Sequence, residues 1–198
     1  MLGVCVSTAI PAVGSRVPHV EAGVGAIATQ ANTNILYGIN GLKLLKTGLS
    51  PQAALETMLK EDPDRESRQV LILDKNGRTA AFTGKETIGW KGHLVGRDYA
   101  VAGNMLVSGK VIEAMAQTFE SSEGELVERL MEALEAGQKA GGDKRGRVSA
   151  ALVVASQKRG TTPILDLRVD KHPDPVRELR RIFETRRSKG TAVTKRKS

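Results

Sequence analysis

Residues 149–156 restrict the fold more than any other stretch. Their centre, residues 152–155, is an unbroken apolar run and reads as a buried strand in the interior of a sheet. A long helical pattern precedes it, and the two are joined by Gly141, Gly142, Asp143, Lys144, Arg145, Gly146 and Arg147. The glycines permit positive φ and close backbone approach. Asp143 and Arg145, two residues apart, are expected either to pair with each other as a loop clasp or to converge on a ligand carboxylate. Ser149, with the small Ala150 and Ala151, leaves room at the mouth of the strand.

The rest of the chain alternates strand runs with paired helices. Strands are expected at residues 2–8 and 23–30, separated by a loop at 9–20 that carries Pro11, Gly14 and Pro18. Helices follow at 37–47 and 51–61, the second with Ser50 as N-cap and Pro51 at its first position. A hairpin comes next, with strands at 69–73 and 78–82 around the Asn76-Gly77 turn signal. Residues 89–95 read as a weak strand or loop, with Trp90 and His93 as packing and surface residues, and 99–106 as a further strand. Helices at 109–119 and 123–140 lead into the junction. After the strand at 149–156 come a turn at 158–160, a strand at 164–169 and a helix at 176–187. This order predicts an α+β domain of two stacked, mainly antiparallel sheets flanked by helices rather than a regular βαβ alternation.

Composition limits what such a domain does. A chain of 198 residues with 40% hydrophobic and 26% charged residues suits one soluble domain, residues 1–187. No apolar run is long enough to span a bilayer, and the start lacks the pattern of a signal peptide, so the expected location is cytoplasmic. Cys5 is the single cysteine, and His19, His93 and His172 lack metal-ligand spacing; neither a metal nor a cofactor is expected. The net charge of +8 is concentrated at the end, where residues 177–198 hold nine basic and two acidic side chains. Residues 188–198 read as a basic, disordered tail offering weak, sequence-independent contact to a polyanion. Aromatic content of 3% argues against a base-stacking surface.

No nucleophile elbow, Walker loop or dinucleotide fingerprint is present. Cys5, Ser7, Thr8 and Ser149 are candidate nucleophiles, but no histidine lies near any of them in sequence. A serine or threonine at a free N-terminus needs no histidine, because its own amine serves as base. Here Met1 is followed by the bulky Leu2, which is not expected to permit methionine removal.

Several segments, in order, closely resemble the family called domain of unknown function 1028. They are residues 23–31, 81–84 and 103–106, Gly141 to Gly146 with Ser149 to Ala151, and 166–175. The resemblance spans residue 2 to about 182. It implies an N-terminal-nucleophile (Ntn) hydrolase fold, a four-layer α-β-β-α sandwich, here lacking the first strand of that fold and the hydroxyl residue that would follow the initiator methionine. The implied activity is hydrolysis of amide bonds in a small amide or peptide-like substrate. The alternative is a non-catalytic binding protein on the same fold, its tail engaging an anionic partner. If the resemblance holds, Asn104, Asp143, Arg145 and Ser149 belong to the catalytic site and Gln30, Asn32 and Thr83 to the substrate site. Asn104 would stabilise an oxyanion. The other expectation for these polar residues is that they tie strand ends together. A bare sheet edge is expected to make the chain a homodimer.

Overall fold

The strands find partners through sequence patterns that alternate or run apolar as their surroundings require. The computed structural model describes residues 1–157 and 163–195, with side chains through residue 187. β1 (Leu2–Thr8), β8 (Ser149–Ala155) and β9 (Leu165–Val169) form one sheet in the order β1-β8-β9. β2 (Pro18–Glu21), β3 (Gly25–Ala31), β4 (Arg68–Asp74) and β5 (Thr79–Thr83) form a second, in chain order. β6 (Trp90–Gly96) and β7 (Tyr99–Leu106) form a separate two-stranded sheet. Every pairing is antiparallel. The expected two sheets are thus three among the described residues. β8 is central in its sheet and buried along its whole length, as its apolar run requires.

Among the described residues five α-helices cover these sheets: α1 (Leu36–Lys46), α2 (Pro51–Glu61), α3 (Lys110–Ser121), α4 (Leu126–Lys139) and α5 (Pro175–Lys195). Ser50 caps α2, its hydroxyl accepting from the Ala53 N–H at 3.2 Å, with Pro51 in the first turn. Asp74 builds the β4–β5 turn, its carboxylate accepting from the N–H groups of Asn76 and Arg78, while Gly77 takes φ +81°. One face of β8, with Ala150, Leu152 and Val154, packs against Met131 and Leu134 of α4 and Leu179 of α5. On the other side, Ala151 joins Val4 and Val6 of β1 against Ala26 and Ala28 of β3. The remaining face of β3 and β4, with Ile27, Val70 and Ile72, is covered by Tyr37 of α1 and Ala54 and Leu55 of α2.

Two expectations are corrected. Residues 18–20, the end of the stretch read as loop, belong to β2; Pro18 is its first residue, where a missing N–H is tolerated. The weak-strand reading of 89–95 resolves to β6. The last helix, expected at 176–187, spans Pro175–Lys195. The turn expected at 158–160 and the final residues 196–198 lie outside the described residues. No helix among the described residues is long and apolar enough to cross a membrane.

Candidate functional site

Four elements end around one cavity of about 140 Å³. β1 brings Ser7 and Thr8, β3 brings Gln30, β7 brings Asn104, and the junction after α4 brings Asp143 and Arg145. Backbone bonds fix the junction against its neighbours. Lys144 N–H donates to Met105 O at 2.8 Å, Val107 N–H to Gly142 O at 3.1 Å, and Val148 N–H to Thr8 O at 2.8 Å. The path needs left-handed backbone at Gly141 (φ +117°), Gly142 (+60°) and Gly146 (+110°), which explains the glycines. Ala31 (φ +68°) and Met105 (φ +54°) adopt the same region without being glycine, and both line the cavity. Such strain costs about 1–3 kcal/mol per residue and gathers where function holds a backbone in place.

Arg145 grips Asp143 in a fork: Nε donates to Oδ1 at 3.0 Å and Nη2 to Oδ2 at 2.6 Å, and the Arg145 backbone N–H adds a bond to Oδ1 at 2.9 Å. Its hydrogen bonds to the Asp143 carboxylate hold the guanidinium more firmly in its charged form. The Asp143 side chain is 10% exposed and that of Arg145 39%, so the pair turns its cationic side outward.

A buried glutamine orients the opposite wall. Gln69 of β4 is fully buried, and its Nε2 donates to Gly103 O (2.9 Å), Gly92 O (3.1 Å) and Thr83 Oγ1 (2.9 Å). Two of those acceptors are backbone carbonyls, which cannot donate, so the amide orientation is fixed. Its Oε1 must therefore accept, and it does so from Gln30 Nε2 at 2.8 Å and Asn104 Nδ2 at 3.1 Å. Gln30 and Asn104 are left with their side-chain oxygens unpaired among the described residues, on a cavity wall.

Four of the seven residues expected in the site therefore come together: Gln30, Asn104, Asp143 and Arg145. Three do not line the cavity. Asn32 bonds weakly to Ser67 Oγ at 3.4 Å on the surface, and its backbone carbonyl accepts from Arg68. Thr83 sits behind Gln69, its hydroxyl shared with His93 Nδ1 at 2.9 Å. Ser149 is fully buried; its hydroxyl donates to Ile10 O at 2.6 Å and accepts from the Val13 N–H at 3.1 Å, which ties down the loop after β1. Sequence reading missed Gln69. The available signal was a glutamine on the same face of an apolar strand as Leu71 and Leu73, a place where a polar group must be paired. Among the described residues no group of histidine, cysteine and carboxylate side chains is arranged to hold a metal ion.

No curated protein matches the chain. A crystal structure of a protein from Silicibacter pomeroyi, assigned to DUF1028, superposes with a TM-score of 0.86 at 32% identity, covering 92% of this chain and 79% of that one. The model of DUF1028, described as a family of unknown function, matches residues 1–179, and the chain belongs to that family.

Proposed function

We propose that the protein hydrolyses an amide bond in a small, peptide-like substrate, as an Ntn-type hydrolase on a four-layer α-β-β-α sandwich. The observation that carries this reading is the convergence of two amides and one arginine on a single cavity. Gln30 and Asn104, held by Gln69, present oxygens and remaining N–H groups suited to the two sides of a substrate amide. Arg145, already aligned by Asp143, offers its outer edge to a substrate carboxylate, which a guanidinium binds in fork geometry. The remaining N–H of Asn104 is the donor that would polarise the carbonyl under attack. Hydrolysis adds water across the C–N bond and releases a carboxylate and an amine.

The test is release of free amine from a panel of dipeptides and N-acyl amino acids. Asn104→Ala is expected to lower turnover and Arg145→Ala to raise KM for carboxylate-bearing substrates. Loss of turnover on neither variant, with measurable wild-type activity, refutes the assignment of this cavity. A second reading is favoured by one observation: among the described residues no basic group is hydrogen-bonded to the hydroxyls of Ser7 or Thr8. On that reading the cavity binds its amide ligand without turnover. The exposed Arg177, Arg181 and Arg186 of α5 would then meet an anionic partner. Ligand-induced thermal shifts without amine release separate the two.

A further inference from the structure

Away from the cavity, a threonine hydroxyl is bonded to a histidine. Thr83 Oγ1 lies 2.9 Å from His93 Nδ1, and among the described residues no other side-chain hydroxyl is hydrogen-bonded to a histidine nitrogen. Strand register makes the meeting. Thr83 ends β5 opposite Gln69 of β4, and β6 packs over β5 with His93 opposite Ala102 of β7, a small side chain that leaves the ring room. His93 is exposed and Thr83 half-buried, so the pair meets solvent, and neither residue lines the cavity.

The direction of the hydrogen follows from Gln69. Its Nε2 is a donor, fixed by the carbonyls of Gly92 and Gly103, so Thr83 Oγ1 accepts from it at 2.9 Å. The hydroxyl hydrogen then has one acceptor among the described residues, His93 Nδ1. That sets His93 as the Nε2–H tautomer with its lone pair on the threonine. Partial burial lowers the His93 pKa from 6.5, which keeps the ring neutral, and therefore basic, at neutral pH. A hydroxyl within about 2.6–3.2 Å of a neutral imidazole is the arrangement that activates an oxygen nucleophile. The Gln69 N–H on the same oxygen adds to it, because a donor steadies the negative charge that grows on Oγ1 as the proton leaves. Thr83 thus has the base that Ser7 and Thr8 lack.

We propose that Thr83 and His93 form an acyl-accepting site that takes a small acyl group from an ester or thioester. Thr83 Oγ1 bonds to the carbonyl carbon while its proton passes to His93 Nδ1. The bond from that carbon to the leaving oxygen or sulfur breaks, the leaving atom takes the electron pair, and His93 gives the proton to it or to water. Thr83 ends as an ester. The β-methyl of Thr83 crowds its oxygen, which restricts the acyl group to a small one. The leaving group follows from what His93 lacks. Its Nε2 has no partner among the described residues, so no carboxylate steadies the imidazolium. Such a pair serves thiolates and acidic alcohols, which depart without firm protonation, and not the amines of amide bonds. The proposal goes beyond the amide reading of the cavity and is tested without any amide substrate.

The probe is p-nitrophenyl acetate, incubated with the full chain at neutral pH, with acetyl groups located by tandem mass spectrometry of peptides. Acetylation of Thr83 is expected at least ~100-fold faster in the native chain than in the chain unfolded in urea, the lower end of what a positioned general base contributes. Thr83→Ser is expected to keep the reaction, Thr83→Val to remove it, and His93→Gln to slow it about 100-fold. Glutamine retains an acceptor for the hydroxyl but is no base, so a lost rate in the folded variant reads the base and not the packing. Equal rates at Thr83 in native and unfolded chains overturn the proposal, as does acetylation confined to lysines. An unchanged rate in His93→Gln overturns it too. The comparison of native with unfolded chain uses the unaltered protein, so it decides the matter even where His93→Gln fails to fold.

Discussion

Replacing Gln69 by methionine removes the hub of the amide network while nearly conserving volume. The structure sets the magnitude. Gln69 makes five side-chain hydrogen bonds, to Thr83, Gly92, Gly103, Gln30 and Asn104. Its bond to Gly103 O is buried, and orphaning that carbonyl costs about 1–3 kcal/mol. The four partly buried partners regain some water and add roughly 1–2 kcal/mol between them. The expected loss is therefore about 2–5 kcal/mol, a fall in Tm of roughly 4–20 °C for a domain of this size. Gln69→Glu is expected to cost more, because a carboxylate would face two carbonyl oxygens where an amide N–H now donates. Urea unfolding followed through Trp90, the single tryptophan, measures both. A methionine variant within ~0.5 kcal/mol of the parent chain would show that the network contributes no net stability, and would remove the argument that it orients Gln30 and Asn104.

Ser149→Ala orphans the buried Val13 N–H and should cost about 1–3 kcal/mol in the same assay while leaving ligand-induced thermal shifts unchanged; unchanged stability with lost ligand response would return Ser149 to the site. Asp62→Asn weakens the buried bridge to Arg68 (2.9 Å), a carboxylate that also accepts from Tyr37, and should cost up to about 3–5 kcal/mol by urea unfolding; a loss below 1 kcal/mol refutes a structural role for the pair. His19 lies against Gly38 of α1, and burial, opposed in part by its bond to the Arg16 carbonyl, lowers its pKa from 6.5. The unfolded chain then binds this proton more readily than the native state, so stability is full above pH 6.5 and declines as pH falls through the lowered folded value. His19→Gln should flatten that slope in urea midpoints measured against pH, with His93, lowered by burial as well, accounting for what remains; an unchanged slope refutes it.

What the sequence made legible follows distance along the chain. The apolar run of 152–155, the Ser50-Pro51 helix start and the Asn76-Gly77 turn are decided by neighbours within a few residues, and each stands where it was expected. Asp143 and Arg145 were legible as a pair for the same reason: two residues apart on a glycine-supported loop, they have little freedom to avoid each other. The orientation of Ser149 is not legible in the sequence, because adjacency to that loop says nothing about which face of the strand a side chain occupies. Residues 149 and 151 share one face of β8, and Ala151 packs with Val13 toward the loop after β1, so the hydroxyl follows. The same parity argument, applied to β4, places Gln69 with Leu71 and Leu73 between the sheets, where only distant strands can satisfy it. The left-handed backbone at Ala31 and Met105 carried no signal, since neither residue type favours it.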